Sequence, residues 1–400
     1  MMAAICASRK GVAVTLLEPN ERLGKKLNIT GKGRCNVTNE SGCEELLANV
    51  PRNARFLYSA FSRWDGRDTM AFFESLGVAL KVERGKRVFP MSDRSFDVSG
   101  ALERELRRLR VRLVRDRARE LCVRDGRVCG VLGEKDTYDA QAVIIATGGV
   151  SYPATGSTGD GYRLAAQVGH TIVEPRGSLV PIVIDDACCA AMQGLTLKNV
   201  TMTVKNQKNT VVFQEMGEML FTHFGVSGPL ALSASAHLRD FEKNRYRLSI
   251  DLKSALDEQK LDARLLRDMA ERSNQNYASF LGGLVNRSMI PVMIEKTGIC
   301  ADTKVHSITR EQRRALLHLL KNFELPISGL RSVSEAIITA GGVKVSEINP
   351  TAMASKCADG LYFAGEVMDV DAYTGGFNLQ IAWATGKAAG EAAAAALLEQ

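Results

Sequence analysis

Apolar positions along the chain recur at two spacings, one of three to four residues and one of two, and the switches between them predict an α/β protein. Met1 to Lys10 is helical by spacing, and GVAVTLLEPN carries an apolar strand of the parallel type from Val12 to Leu17, ending in Glu18. Ala54 to Phe73 and Ser99 to Leu109 read as helices. Val111 to Gly133 contains two short strands joined by an Asp125-Gly126 turn. Ala142 to Ala146 is the next apolar strand, and a helix is expected from about Asp160. From Leu179 to Asp251 the period becomes two in VPIVID, LKNVTMTVKN, NTVVFQEMGEMLFTH and NRYRLSIDL, which predicts an antiparallel, barrel-like unit. Ser254 to Ile299 is helical with Asn and Gln breaks, and Ile308 to Phe323 adds another helix. A strand from Leu361 to Ala364, a glycine-bearing turn and a helix from about Asn378 close the chain.

Composition narrows the class. Four hundred residues at 45% hydrophobic suffice for two or three cores. No apolar run approaches the ~18 residues of a membrane span, and no basic region followed by an apolar core opens the chain, so a cytoplasmic enzyme without a membrane partner is expected. The net charge of +7 draws largely on Arg104, Arg107, Arg108, Arg110, Arg112, Arg115, Arg117 and Arg119. No aromatics interleave with them, so they read as a solvated face and not as a nucleic-acid surface, although a basic surplus suits an anionic small molecule. The nine cysteines form no C-x-x-C pair, which argues against a redox disulfide and against a zinc or iron–sulfur site. The adjacent Cys188 and Cys189 read as buried thiols.

The candidate chemistry gathers at the two ends of the chain. Gly365 and Glu366 end the last strand, Gly375 and Gly376 allow backbone to approach a ligand, and the following helix points free N–H groups at it. An acid at the end of a strand that follows a helix, as at Glu18, is how a doubly wound fold presents a carboxylate to ribose hydroxyls. The loop from Glu21 to Asn39 offers glycines, Lys26 and Arg34 to a phosphate, and Cys35 could approach the cofactor ring. Thr147, Gly148 and Gly149 let a strand end lie against a dinucleotide. The G-x-G-x-x-G turn expected about twenty residues before the acid is missing. Gly156, Gly159 and Gly161 follow a different spacing, G-x-x-G-x-G, so no second nucleotide domain is predicted.

LEPNERLGKKLNITGKGRCNVTN, RVFPMSD, ATGGVSYPATGSTGDGY, EMLFTHFGVSGP, AGGVKVSEINPTAMASK and the final GLYFAGEVMDVDAYTGGFNLQIAWATG together resemble one family of bacterial flavoproteins. It includes aminoacetone oxidase and the bile-acid-inducible 3-dehydro-bile-acid Δ4,6-reductase. The resemblance implies a Rossmann-like FAD-binding domain over 1–178 and 334–400. It also implies a β-barrel-like substrate domain over 179–253 and 300–333, with a helical insertion over 254–299. Family members usually begin with a strand and a glycine-rich turn directly before the helix that opens here at Met1. An upstream start, and poor FAD binding by the chain as given, are therefore expected. The cofactor-binding residues implied are Glu18, Lys26, Arg34, Cys35, Thr147, Gly148, Gly149, Gly365, Glu366, Asp369, Gly375, Gly376, Asn378 and Leu379. Tyr373, Asp371 and His223 are the catalytic candidates for a small-molecule substrate, with NAD(P)H as a transient electron donor. The resemblance leaves two enzyme readings open, a reductase of the conjugated C=C of a 3-oxo bile acid, which is preferred, and an oxidase of a small amine. A flavin-free structural or regulatory protein is the third reading.

Overall fold

Parallel strand pairs organise the first of two units in the computed structural model, which describes residues 1–399. This unit runs from Met1 to Ser178 and resumes at Ser332; Leu179–Arg331 forms the second. Helix α1 (Met2–Arg9) leads into β1 (Thr15–Leu17), which pairs parallel with β2 (Arg112–Val114), Leu16 opposite Leu113. Strand β3 (Val143–Ile145) pairs parallel with β4 (Leu361–Phe363), Ile144 opposite Tyr362. The long C-terminal helix α2 (Phe377–Leu398) packs on α1. It does so through small residues: a Cβ at Gly390 would sit 2.3 Å from the Ala3 carbonyl oxygen, so only glycine permits this approach.

An antiparallel meander of Ala118–Arg124, Arg127–Gly133 and Thr137–Asp139 lies between β2 and β3. Its first turn carries Asp125 and Gly126 at φ 49° and 76°, the left-handed pair that a two-residue hairpin requires. Ile172–Ser178 pairs antiparallel with Ile338–Val343. Two buried clusters support the unit. One gathers Ile145, Leu164, Phe363 and Ala389, the other Ile5, Phe73, Leu102 and Trp383.

Three expectations are corrected in detail. The strand expected from Val12 is regular only over Thr15–Leu17, its pairing beginning where Val14 O accepts from the Arg112 N–H at 2.9 Å. The helix expected over 54–73 breaks at Trp64 (φ −158°, ψ 89°), because Asp65 and Asp68 form a reciprocal capping box that starts a new helix, Gly66–Ser75. The helix expected from Ser99 begins at Ser95.

The second unit is a closed six-stranded barrel. Its strands run in the order Ile182–Ile184, Gly225–Ser227, Val211–Thr222, Thr196–Asn206, Tyr246–Asp251 and Phe323–Leu330. Alternate residues such as Val200, Met202 and Val204 point inward, as period-two patterning demands. Four helices, Glu258–Glu271, Tyr277–Leu281, Ile290–Thr297 and Arg310–Lys321, share the barrel's core: Leu265, Phe280, Met293 and Leu316 cluster with Phe221, Leu248 and Phe323.

Candidate dinucleotide site

Strands β1 and β3 each pair on one side only, and together they line a groove of about 920 Å³. Its walls also include Ala4 and Ala7 of α1, Ala393 and Leu397 of α2, and Val128 and Val131 of the meander. Its volume falls within the range of about 300–1,000 Å³ usual for ligand sites.

Glu18 stands at the end of β1 and lines this groove. Its backbone N–H reaches Val114 O at 3.0 Å, continuing the β1–β2 pairing by one residue. Both bonds from Asn20, at 2.9 Å from the backbone N and 2.7 Å from Nδ2, land on Oε1. Thr147 and Gly148 line the same groove beyond β3, and Gly148 adopts φ 75°, a left-handed geometry suited to glycine.

Lys26 joins the groove to a polar cluster. Its ammonium lies 2.6 and 2.9 Å from the two Glu366 oxygens and 2.7 Å from Ser151 Oγ. The Ser151 hydroxyl donates to Glu366 Oε1 at 3.0 Å, and the Thr339 N–H donates to the same oxygen at 2.8 Å. Thr339 Oγ1 in turn accepts from the N–H groups of Val150 and Ser151, at 2.9 and 3.1 Å. A Cβ at Gly149 would lie 2.2 Å from that oxygen, which explains the second glycine of the A-T-G-G strand end. Three separate stretches of chain thus converge on the Glu366 carboxylate.

The glycine pair serves a different purpose. Gly376 adopts φ 99°, and a Cβ there would lie 2.3 Å from Thr38 O. Gly375 O accepts from Asn39 Nδ2 at 3.0 Å. Asn378 clamps the preceding turn, since its Oδ1 accepts from Ala372 N–H at 2.8 Å and its Nδ2 donates to Ala372 O at 2.7 Å. Tyr373 is half-buried with its backbone N–H on Asn49 O. Asp371 is fully buried and accepts from Ser178 Oγ at 2.6 Å. Asp369 receives Asn53 Nδ2 at 3.0 Å and Arg52 at 3.3 Å, while its Oδ1 and the Tyr162 hydroxyl are buried without a hydrogen-bond partner. Gly365 donates its N–H to Thr385 Oγ1 at 3.0 Å, and Leu379 packs against the α1 cluster.

Two loop residues of the expected cofactor set make their contacts within the protein. Arg34 lies over the Phe89 ring at 4.0 Å and is held by Glu83 and Asp93 at 2.8 and 3.1 Å, so its charge is already matched by carboxylates. Cys35 is wholly buried beside Leu27 and Val37, and burial pushes its thiol up to about 12, so it packs and stays protonated. His223 belongs to the barrel unit, exposed at the turn between Val211–Thr222 and Gly225–Ser227, with Phe224 edge-on at 5.0 Å. Ser151 and Thr339 are not legible in the sequence because serine and threonine in loops carry no pattern of their own.

The model of the HI0933-like protein Rossmann domain matches residues 1–392. The chain is 31% identical over 98% of its length to the 3-dehydro-bile acid delta(4,6)-reductase of Clostridium scindens, 96% of which is covered. It is 29% identical over 96% of its length to the ribosomal RNA dihydrouridine synthase of Haemophilus influenzae, 93% of which is covered. Among solved structures, the 3-ketosteroid-delta4-(5alpha)-dehydrogenase of Rhodococcus jostii aligns with a TM-score of 0.50 at 13% identity, covering 98% of this chain and 94% of that one, a likeness of fold.

Proposed function

The chain belongs to the HI0933-like Rossmann-domain family, and from that premise we propose that it is an FAD-dependent reductase of a carbon–carbon double bond conjugated to a carbonyl. The observation that carries this reading is the kinship over nearly the whole chain with a delta(4,6)-reductase of a 3-oxo bile acid. The residues fit FAD: a groove of about 920 Å³ carries Glu18 at one strand end and the open backbone of Thr147 and Gly148 at the other. Glu18 would take the ribose hydroxyls, and the Gly375–Gly376 turn would border the ring.

FAD, when bound, supplies the hydride chemistry. The chain has to hold the ring and substrate and deliver one proton to the carbon α to the carbonyl as the β-carbon receives hydride. Tyr373 is the proposed proton donor. Its backbone is fixed by Asn49 and Asn378, which limits where the phenol can swing. Asp371, buried on Ser178, would hold the turn beneath it. NAD(P)H is the proposed electron donor, docking transiently.

A second reading has its own support, since a ribosomal RNA dihydrouridine synthase is 29% identical over 96% of the chain. Uracil also contains a C=C conjugated to a carbonyl, so the two readings share a reaction and differ in the substrate that presents it. Anaerobic reduction by NAD(P)H, followed by addition of either a 3-oxo-Δ4 bile acid or unmodified ribosomal RNA, separates them. Flavin absorbance that returns on adding the steroid supports the first reading, and return with RNA alone supports the second. Reoxidation only by oxygen would overturn both.

A further inference from the structure

Away from the dinucleotide groove, three ligand-type side chains from separate stretches of the FAD-binding unit converge. His170 follows the helix Asp160–Gln167, Glu347 ends the turn Val345–Glu347, and Cys357 lies in the turn before β4. His170 Nδ1 is 3.4 Å from Glu347 Oε2 and 3.7 Å from Cys357 Sγ, and the three ligand atoms all lie within 4.8 Å of one another. We propose that His170, Glu347 and Cys357 form a binding site for one divalent cation of the zinc class, with water as the fourth ligand.

The spacing carries the argument. Zinc bonds of about 2.0–2.2 Å to nitrogen and oxygen and about 2.3 Å to sulfur, set at tetrahedral angles, place N and S about 3.6 Å apart and N and O about 3.3 Å apart. The edges meeting at His170 already have these lengths before any ion binds. The supporting shell is present too. Ser355 Oγ lies 2.7 Å from His170 Nε2 and is itself anchored by the N–H groups of Cys357 and Ala358, at 3.0 Å each. Such a contact orients the other ring nitrogen toward a metal. Phe363 packs edge-on against the imidazole at 4.9 Å, and Thr171 N–H holds Glu347 Oε2 at 2.8 Å. Cys357 is exposed, giving the ion a way in, and its thiol proton is released to solvent as the Cys357–metal bond forms. Among the described residues this is the one such group of three.

Cobalt(II) titration of the full-length, FAD-loaded protein tests the site, because a thiolate–cobalt bond adds a charge-transfer band. One equivalent of cobalt should produce the band, and zinc should displace it. Cys357→Ser should abolish the band, Glu347→Gln should weaken binding tenfold or more, and Cys300→Ser, which changes another exposed thiol, should leave it intact. No band, a band that survives Cys357→Ser, or an affinity unchanged in Glu347→Gln would overturn the three-ligand site.

Discussion

Replacing Lys26 with methionine removes a charge while keeping much of the side chain's length. The lysine and Glu366 side chains are 23% and 12% exposed, so the pair is largely withdrawn from water. In the variant Glu366 would keep the Ser151 hydroxyl at 3.0 Å and the Thr339 N–H at 2.8 Å but lose the cation paired with it. Removing one partner of a fully buried pair costs about 3–5 kcal/mol. The residual exposure of Lys26 brings the expected loss to about 2–3 kcal/mol. Urea unfolding of Lys26→Met, Glu366→Gln and the double variant measures this directly. Lys26→Met should be the least stable, because it leaves a carboxylate charged and unmatched. The double variant should recover about 1–3 kcal/mol relative to the sum of the single losses. Flavin content per chain should fall in both single variants, since this cluster sets the course of the backbone at Gly149 and Thr339. A Lys26→Met stability within about 0.5 kcal/mol of the parent, together with no coupling in the cycle, would refute the reasoning and mean that water already screens the pair.

Glu105 is 5% exposed and accepts hydrogen bonds from Arg108 and then Arg9, which hold its carboxyl down from 4.5 to about 2 against the opposing effect of burial. A depressed carboxyl stabilises the fold fully above the unfolded value and loses that contribution as pH falls from about 4.5 through about 2. Since the Arg9 and Arg108 side chains are 39% and 67% exposed, the contribution is expected to be about 1–2 kcal/mol. Tm measured from pH 6 to pH 2 should therefore fall less steeply in Glu105→Gln, and parallel curves would refute the assignment.

What the sequence discloses and what it withholds divide along one physical line. The Ala142–Gly149 strand end, the turn at Gly375 and Gly376 and the inward residues of the barrel strands are legible because their constraints are local. A backbone that must turn or come close selects glycine in place, and a half-buried strand selects alternate apolar residues. Charge matching is not local. Arg34 looks like a phosphate ligand within its glycine-rich loop, yet Glu83 and Asp93, far along the chain, neutralise it. Lys26 looks the same in sequence and meets Ser151 and Glu366, the latter also held by Thr339, which no spacing rule connects. The distinction between these two basic residues decides which one can shape the flavin site. Arg34 is 34% exposed in a network of surface carboxylates, whose rearrangement costs little, whereas Lys26 is paired with Glu366, an acid only 12% exposed. The contrast implies an order of sensitivity that composition alone could not supply. Neutralising Lys26 should disturb flavin binding and stability together, while neutralising Arg34 should leave the flavin site standing.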